Sequence, residues 1–456
     1  MSIIVNMNAN STFNIDTIYP NLGLRSISEK ESERIKQNIS ENYNISYCNL
    51  YNPNQILFTN FINSNKTLNN NNKLYKLIKK KHRISTIGYT YKAIIRTRSN
   101  KNFYKNVFIK EIPIFDPCNI DYYYNYLKSD KTNPDSLQQN IYNNMYSTNH
   151  QTNIEIFINY LVSKLVELKI TPNFCEYYGS YMVNMDKFTY DVGECESILD
   201  NIDTLLKNPK VKCISYYEDI YLEYRNIPIY LIANEVVRYD IDYLQYKNLI
   251  NYEMIISITF QIFGSILTMY SIFGIKHNDL HLGNIMFKPT KEKYLYYKFN
   301  NIYYKVPTYG FIVKIIDWGR GTYKFNSTFG NNNIYNGPGE CFEQYVYPRI
   351  NNKGRYPIEI DKNPWTDIIM ISQCFLNEFN KELKDTDLER FMLKIITTTD
   401  KNCLEVCHLK WEIYVEITNS EFKINPRDLL TNRIFNQYKI KRSKIIKNST
   451  IYNIIL

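Results

Sequence analysis

The sequence predicts an α+β chain in two unequal parts. A small β-rich part is expected over residues 82–238 and a larger, mainly helical part over 239–456, behind an N-terminal extension over 1–81. Three observations lead there. Short apolar runs with period-2 alternation begin near His82 and recur as far as Val237, as strands do. A 22-residue stretch without a charge, Met254 to Ile275, has the length and apolar character of one long helix. Two polar motifs, His277 to Asn284 and Asp317 to Gly319, follow that helix and fit neither periodicity. Hydrophobic residues are 44% of the 456, enough for a sizeable core without disulfides.

Taken in order, residues 1–81 are rich in Asn and Ser, with the tract Asn69 to Asn72, and read as an irregular or partly helical extension. Arg83 to Tyr89 and Tyr91 to Arg96 read as strands joined by a short turn containing Gly88. Val107 to Ile112 is a short apolar strand that carries Lys110 near its end. Residues 116–150 form a polar insertion, after which Thr152-Asn153 can cap a helix through Glu155, Phe157, Leu161, Leu165 and Leu168. Phe174 to Val183 and Ile227 to Val237 read as strands around a second insertion at 186–225. Beyond Asp240 the pattern is mainly helical. Strands at Ile285 to Phe287 and Phe311 to Ile316 bracket a Lys/Tyr-rich insert. A Gly- and Asn-rich stretch runs to Asp361, Trp365 opens a new apolar helix, and Ile424 to Leu430 turn into a last one.

Composition narrows the function classes. The net charge of +10 (55 basic, 45 acidic) is partly concentrated in Lys73 to Arg83 and Lys439 to Lys447. Such runs read first as solvated surface, so no strong nucleic-acid signal results. The 43 tyrosines are too widespread for any aromatic stripe to stand out as a base-stacking platform. Nine cysteines show no regular pairing. The single cluster, Cys403-x-x-x-Cys407-His408, has no second pair at zinc-finger spacing, so reduced thiols in a cytosolic compartment are expected. The opening MSIIVNMNANSTF lacks the basic-then-apolar pattern of a signal peptide. Met254 to Ile275 is long enough to span a bilayer, but Gln261 and several Ser and Thr within it point to a buried core helix instead, and no membrane span is expected.

The chemistry is concentrated in His277-Asn278-Asp279-Leu280-His281-Leu282-Gly283-Asn284. An Asp and an Asn five residues apart, then the strand-borne Asp317-Trp318-Gly319, are what a nucleotide-dependent phosphotransferase needs. One carboxylate must meet the acceptor hydroxyl, while an amide and a second carboxylate hold metal ions on the triphosphate. Asp and Asn also favour loops on conformational grounds alone. Two of only five histidines flank Asp279, however, and both fit the motif.

With these pieces in order, the chain resembles the eukaryotic-type protein kinase superfamily over roughly residues 82–438, and most of all the divergent kinases of large DNA viruses and haspin-like kinases. The resemblance implies a two-lobed fold, with a small β-rich N-lobe and a large helical C-lobe. It also implies ATP and Mg²⁺ as cofactors, and transfer to serine or threonine hydroxyls of a protein substrate. Carried over by position, Lys110 is the strand lysine on the α- and β-phosphates, and Glu155 is its helix partner. Glu167 on the same helix and Lys92 on the earlier strand are the rival positions. Asp279 is the catalytic-loop carboxylate, and His281 lies near the transferring phosphate. Asn284 and Asp317 are the metal ligands. Asp367 braces the loop. Glu235-Val236-Val237 is the adenine-binding hinge, Gly88 remains of the glycine-rich loop, and Arg427 is a structural arginine with Glu340 as its partner.

Four departures stand out. Gly88 is the single glycine left over the phosphates, and Trp318 replaces a phenylalanine. Asn278 replaces the arginine that reads a loop phosphate, so phosphorylation at Ser327, Thr328 or Tyr335 is not expected to be required. His281 stands where serine/threonine kinases carry lysine, and aminoglycoside and choline kinases carry histidine there. A small-molecule phosphotransferase is therefore the alternative. A pseudokinase binding module would predict loss of Lys110, Asp279, Asn284 or Asp317, and all four are present. The viral resemblance adds an intracellular, cytoplasmic or virion-associated location.

Overall fold

Period-2 alternation between residues 72 and 235 becomes one antiparallel sheet. The computed structural model describes residues 22, 24–43, 47–50, 66–85, 88–113, 147–191, 203, 206, 211–216, 219–325, 328–330, 332–335, 341, 364–404, 406 and 411–456. The first elements are β1 (Leu24–Ser26), α1 (Glu29–Tyr43), β2 (Tyr47–Leu50), β3 (Lys66–Leu68), β4 (Asn72–Ser85), β5 (Gly88–Thr97) and β6 (Asn102–Pro113). After them come α2 (Gln151–Glu167), β7 (Tyr177–Asp191), β8 (Val211–Tyr216) and β9 (Asp219–Glu235). The seven-stranded sheet has the order β2-β7-β9-β6-β5-β4, with β8 pairing β9. Its alternation feeds two cores. Leu231 and Ala233 of β9 join Ile35 and Ile39 of α1, whereas Tyr230 and Ile232 join Ile154, Phe157 and Leu161 of α2.

The remaining elements are α3 (Ile241–Tyr246), α4 (Tyr252–Phe273), β10 (Ile285–Pro289), β11 (Tyr294–Phe299), β12 (Ile302–Pro307), β13 (Phe311–Ile315), β14 (Tyr323–Phe325) and β15 (Thr328–Gly330). They close with α5 (Thr366–Glu378), α6 (Asn380–Leu383), α7 (Asp387–Ile395), α8 (Trp411–Asn419), α9 (Pro426–Thr431), β16 (Lys439–Ile440) and β17 (Ile451–Asn453). The chain is thus a mixed α+β fold. Among the described residues α4 is the one helix long and apolar enough to cross a membrane, and 89% of its apolar window is buried within the fold. Its polar side chains find partners there. Gln261 Oε1 accepts from Asn173 Nδ2 (3.0 Å) and Val313 N (3.2 Å), and Ser257 Oγ donates to the Pro307 carbonyl (2.6 Å). Phe260 packs among Tyr297, Tyr304, Phe435 and Tyr438.

Several expectations change. β4 runs through the anticipated boundary at 81/82, and the basic stretch Lys73 to Arg83 lies on it, at the edge of the sheet. Lys76, Lys79, Lys80 and Lys81 are exposed on it, and lysines on an edge oppose strand-to-strand association. Lys73 is buried against Glu31 of α1 (2.8 Å). The described part of 186–225 continues β7 and β9 as a ribbon, paired from Lys187 with Arg225 to Asp191 with Tyr221. The Lys/Tyr-rich insert is the β11–β12 hairpin, and β16 and β17 from the basic C-terminal segment fold back to flank it. Helix α2 is capped by His150, whose Nδ1 accepts from Thr152 N (3.3 Å), not by Thr152 or Asn153. Cys403 is exposed, while Cys407 and His408 lie outside the described residues, as does 116–146 of the first insertion.

Candidate active site

The polar motif after α4 is held by backbone bonds before any side chain is considered. Gly274, at φ 57°, ends α4 in the left-handed region, and its N–H bonds the Met269 and Tyr270 carbonyls. A Cβ there would meet the Lys324 backbone at 2.8 Å, so glycine is required by space as well as by conformation. Lys276 and Thr322 then exchange two backbone bonds of 3.0 Å. The next two N–H groups, of His277 and Asn278, donate to the Asp367 carboxylate at 2.7 and 2.8 Å. Asp367 sits buried in the first turn of α5, where burial pushes its pKa up against the opposing pull of His277 and these two N–H groups.

The two motifs meet through β10 and β13, which pair Ile285 with Ile315. Ile316 N donates to the Asn284 carbonyl (3.1 Å), and His277 Nε2 donates to the Ile316 carbonyl (2.8 Å). The His277 ring lies 4.8 Å from Trp318, which in turn lies 5.8 Å from Phe174, so Trp318 fills an apolar slot. Asn278 (φ 62°) and Asp317 (φ 64°) both occupy the left-handed region, which Asn and Asp tolerate best among non-glycine residues.

Lys110 reaches this place from the sheet. It is paired in register with Gly88 on one side and Ile232 on the other, so it emerges on the α2 face. Its Nζ donates to Glu155 Oε1 of α2 at 2.6 Å and to Asp317 Oδ1 at 3.1 Å. Burial works against the Lys110 charge, but Asp317 and Glu155 outweigh it and hold its pKa above the ordinary lysine value. Burial would likewise raise Asp317, yet Lys110 beside it holds the carboxyl down at about 2. Glu155 is pushed up by burial, against the pull of Lys110. The rivals are otherwise engaged: Glu167 binds Lys164 (2.6 Å), and Lys92 is exposed over the Tyr104 ring.

Asp279 is 18% exposed and accepts on a single oxygen, Oδ1, from Arg320 Nη1 (3.1 Å) and Tyr414 Oη (2.8 Å). His281 Nε2 lies 3.8 Å from the other oxygen, Oδ2. Gly283 N donates to His281 Nδ1 (3.1 Å), and Asn284 Nδ2 lies 3.2 Å from His281 Nε2. Burial lowers the His281 pKa against the pull of Asp279. Asn284 Nδ2 donates to the Asp279 carbonyl (2.8 Å), turning its amide oxygen the other way. That oxygen and Asp317 Oδ2, which Lys110 leaves unused, are hard donors of the kind Mg²⁺ takes alongside phosphate and water. Sequence reasoning missed Arg320 and Tyr414. Arg320 directly follows Asp317-Trp318-Gly319, but its direction could not be read, and Tyr414 is one tyrosine among 43, 135 residues from Asp279.

The Glu235 side chain is tied up within the fold, bound to Lys314 (3.1 Å) and to Lys288. Burial opposes its charge, but the two lysines hold its pKa down at about 2. Its N–H bonds the Glu176 carbonyl (2.8 Å), and Val237 just beyond is half-buried. Gly88 has a steric reason of its own. A Cβ there would lie 2.4 Å from the Phe108 ring and 2.8 Å from the Ile109 carbonyl. Arg427 is exposed in the first turn of α9, while Glu340 and Ser327 lie outside the described residues. Tyr335 is buried and its Oη donates to the Arg320 carbonyl (2.6 Å). Asn278 Nδ2 donates to the same carbonyl (3.2 Å) and to Thr322 Oγ1 (3.1 Å), so this segment is braced by uncharged groups. Comparison with known protein families, and with curated proteins, returns no match to this chain.

Proposed function

We propose that the protein is an ATP- and Mg²⁺-dependent protein kinase with a two-lobed fold, transferring the γ-phosphate of ATP to serine or threonine hydroxyls of proteins inside the cell. One observation carries the reading: the Lys110 ammonium is bracketed by Glu155 at 2.6 Å and Asp317 at 3.1 Å, groups from strand, helix and loop that are far apart in the chain. An isolated helix acid and an isolated loop acid have no structural need of one shared lysine. A charged lysine held ready for a polyphosphate does need them.

The residues divide the work by what each can donate or accept. Lys110, kept charged by Glu155 and Asp317, meets the α- and β-phosphates. Asn284 and Asp317 would hold Mg²⁺, which when bound neutralises charge on the triphosphate. Asp279 takes or orients the acceptor hydroxyl's proton, and Asp367 holds the loop that carries it through the N–H groups of His277 and Asn278. The backbones of Glu235 and Val237 are the groups offered to adenine. The Glu235 side chain, locked to Lys314 and Lys288, instead fixes where that backbone sits.

The test is labelled-ATP transfer with magnesium against a peptide library, amino alcohols and aminoglycosides, with Asp279→Ala and Asp317→Ala alongside. Transfer to Ser/Thr peptides is expected, with loss of about 1,000-fold or more in each variant. Transfer confined to amino alcohols or aminoglycosides would make the protein a small-molecule kinase. Wild-type protein that neither binds nor consumes ATP would end the reading.

A further inference from the structure

We propose that Arg320 and Tyr414 are positioning residues for Asp279: together they pin one carboxylate oxygen and leave the other for the acceptor hydroxyl. The inference rests on the reading of Asp279 as the group that meets that hydroxyl.

The geometry is asymmetric. Both donors fall on Oδ1, Arg320 Nη1 at 3.1 Å and Tyr414 Oη at 2.8 Å, while the nearest ring nitrogen to Oδ2 is 3.8 Å away. An aspartate side chain turns about two bonds, so one donor can follow it as it moves. Two donors from separate segments cannot both follow, and the carboxylate is held in one rotation. Each donor is itself anchored. The Arg320 carbonyl accepts from Tyr335 Oη (2.6 Å) and Asn278 Nδ2 (3.2 Å), which ties this arginine to the catalytic loop it serves. Tyr414 is buried, 6% exposed, in α8.

Charge argues the same way. Arg320 supplies a permanent positive charge next to Asp279. Tyr414 remains a hydroxyl donor, because burial and the Asp279 charge both push its ionisation up. A phenol kept so firmly protonated is a poor nucleophile, which favours a fixed donor over an internal acceptor.

The experiment compares wild type with Arg320→Met, Arg320→Lys and Tyr414→Phe, using Mg-ATP and a peptide the wild type phosphorylates. Arg320→Met is expected to lower kcat about 100-fold, with the KM for ATP and the thermal midpoint little changed. Arg320→Lys and Tyr414→Phe should each lose about 10-fold, and added guanidinium should return part of the Arg320→Met loss. Should Arg320→Met fail to fold, Tyr414→Phe, which removes one oxygen, decides alone. Rates within about two-fold of wild type in the folded variants would overturn the proposal. Phosphate appearing on Tyr414, or a faster Tyr414→Phe enzyme, would also overturn it by making that hydroxyl an occupant of the acceptor site. A wild type that transfers no phosphate overturns the kinase reading itself, and this inference with it; failure confined to the variants leaves that reading intact.

Discussion

The Lys110 ammonium faces two carboxylates, Glu155 and Asp317, where 12% of its side chain meets solvent. Breaking a buried pair by removing one partner costs about 3–5 kcal/mol, because the survivor keeps its desolvation without its counter-charge. Lys110 neutralises two groups and Glu155 one. Lys110→Met is therefore expected to lower unfolding free energy at pH 7 more than Glu155→Gln, as urea denaturation would measure. Glu155 has its pKa raised by burial, and without Lys110 it is expected to rise further. A group raised on folding favours the folded state at low pH and loses that favour as pH rises through its folded value. The penalty of Lys110→Met should accordingly shrink as pH falls. An unchanged penalty down to pH 4 would mean that Glu155 is not the group left unpaired. Gly88 gives a second, purely steric case. Ala at this position forces the Phe108 ring or the Ile109 carbonyl to move, and a loss of about 1–3 kcal/mol is expected by the same measurement.

Among elements, the end of β9 is joined to β10 and β13 by one carboxylate. Glu235 binds Lys288 of β10 and Lys314 of β13, and Lys314 Nζ also donates to the Phe174 carbonyl at 2.6 Å. Its pKa falls from 4.5 to about 2 in the fold, so its contribution is complete above the unfolded value and lost as pH drops through the folded one. With Glu235 7% exposed, that window is worth on the order of 3 kcal/mol. Glu235→Gln should flatten the fall in stability between pH 4.5 and 2. An acid limb as steep as the wild type's would show that other carboxylates dominate it. The same element-scale logic applies to Asp367, which ties α5 to the loop before Asp279 through two N–H groups. Asp367→Asn keeps the shape but loses an acceptor, so one buried N–H goes without a partner at a cost of about 1–3 kcal/mol. Activity is expected to fall with it, since the loop carrying Asp279 is held by those bonds. Equal melting temperatures for Asp367→Asn and wild type would contradict this.

Across the whole molecule, what was legible in the sequence was whatever had a strong period or a rare residue. The uncharged run of α4, the apolar strand around Lys110 and the paired histidines around Asp279 stood out on those grounds, and the first two are the helix and the strand that were expected. Arg320 and Tyr414 did not stand out, because which way a loop arginine turns is a tertiary fact and tyrosine is too common here to carry a signal. Residues 72–81 were misread for a related reason: Asn and Lys are poor strand formers, and they masked the buried Leu74, Tyr75 and Leu77 of β4. That segment is part of the sheet. Leu74 and Leu77 share a core with Ile35 and Ile39 of α1, and with Tyr91, Ala93 and Ile95 of the neighbouring strand β5. Asn38 works as a stand-in backbone, accepting from Leu77 N (2.7 Å) and donating to the Leu77 carbonyl (3.3 Å). A chain begun at His82 would remove α1 and most of β4, baring fully buried side chains along β5 and creating a new apolar sheet edge. It is expected to aggregate or to melt well below the full chain. Asn38→Ala should cost about 1–3 kcal/mol by stranding both Leu77 groups. If the chain from His82 instead melted within roughly 2 °C of the full-length protein, α1 and β4 would be ornaments on the sheet rather than part of its core.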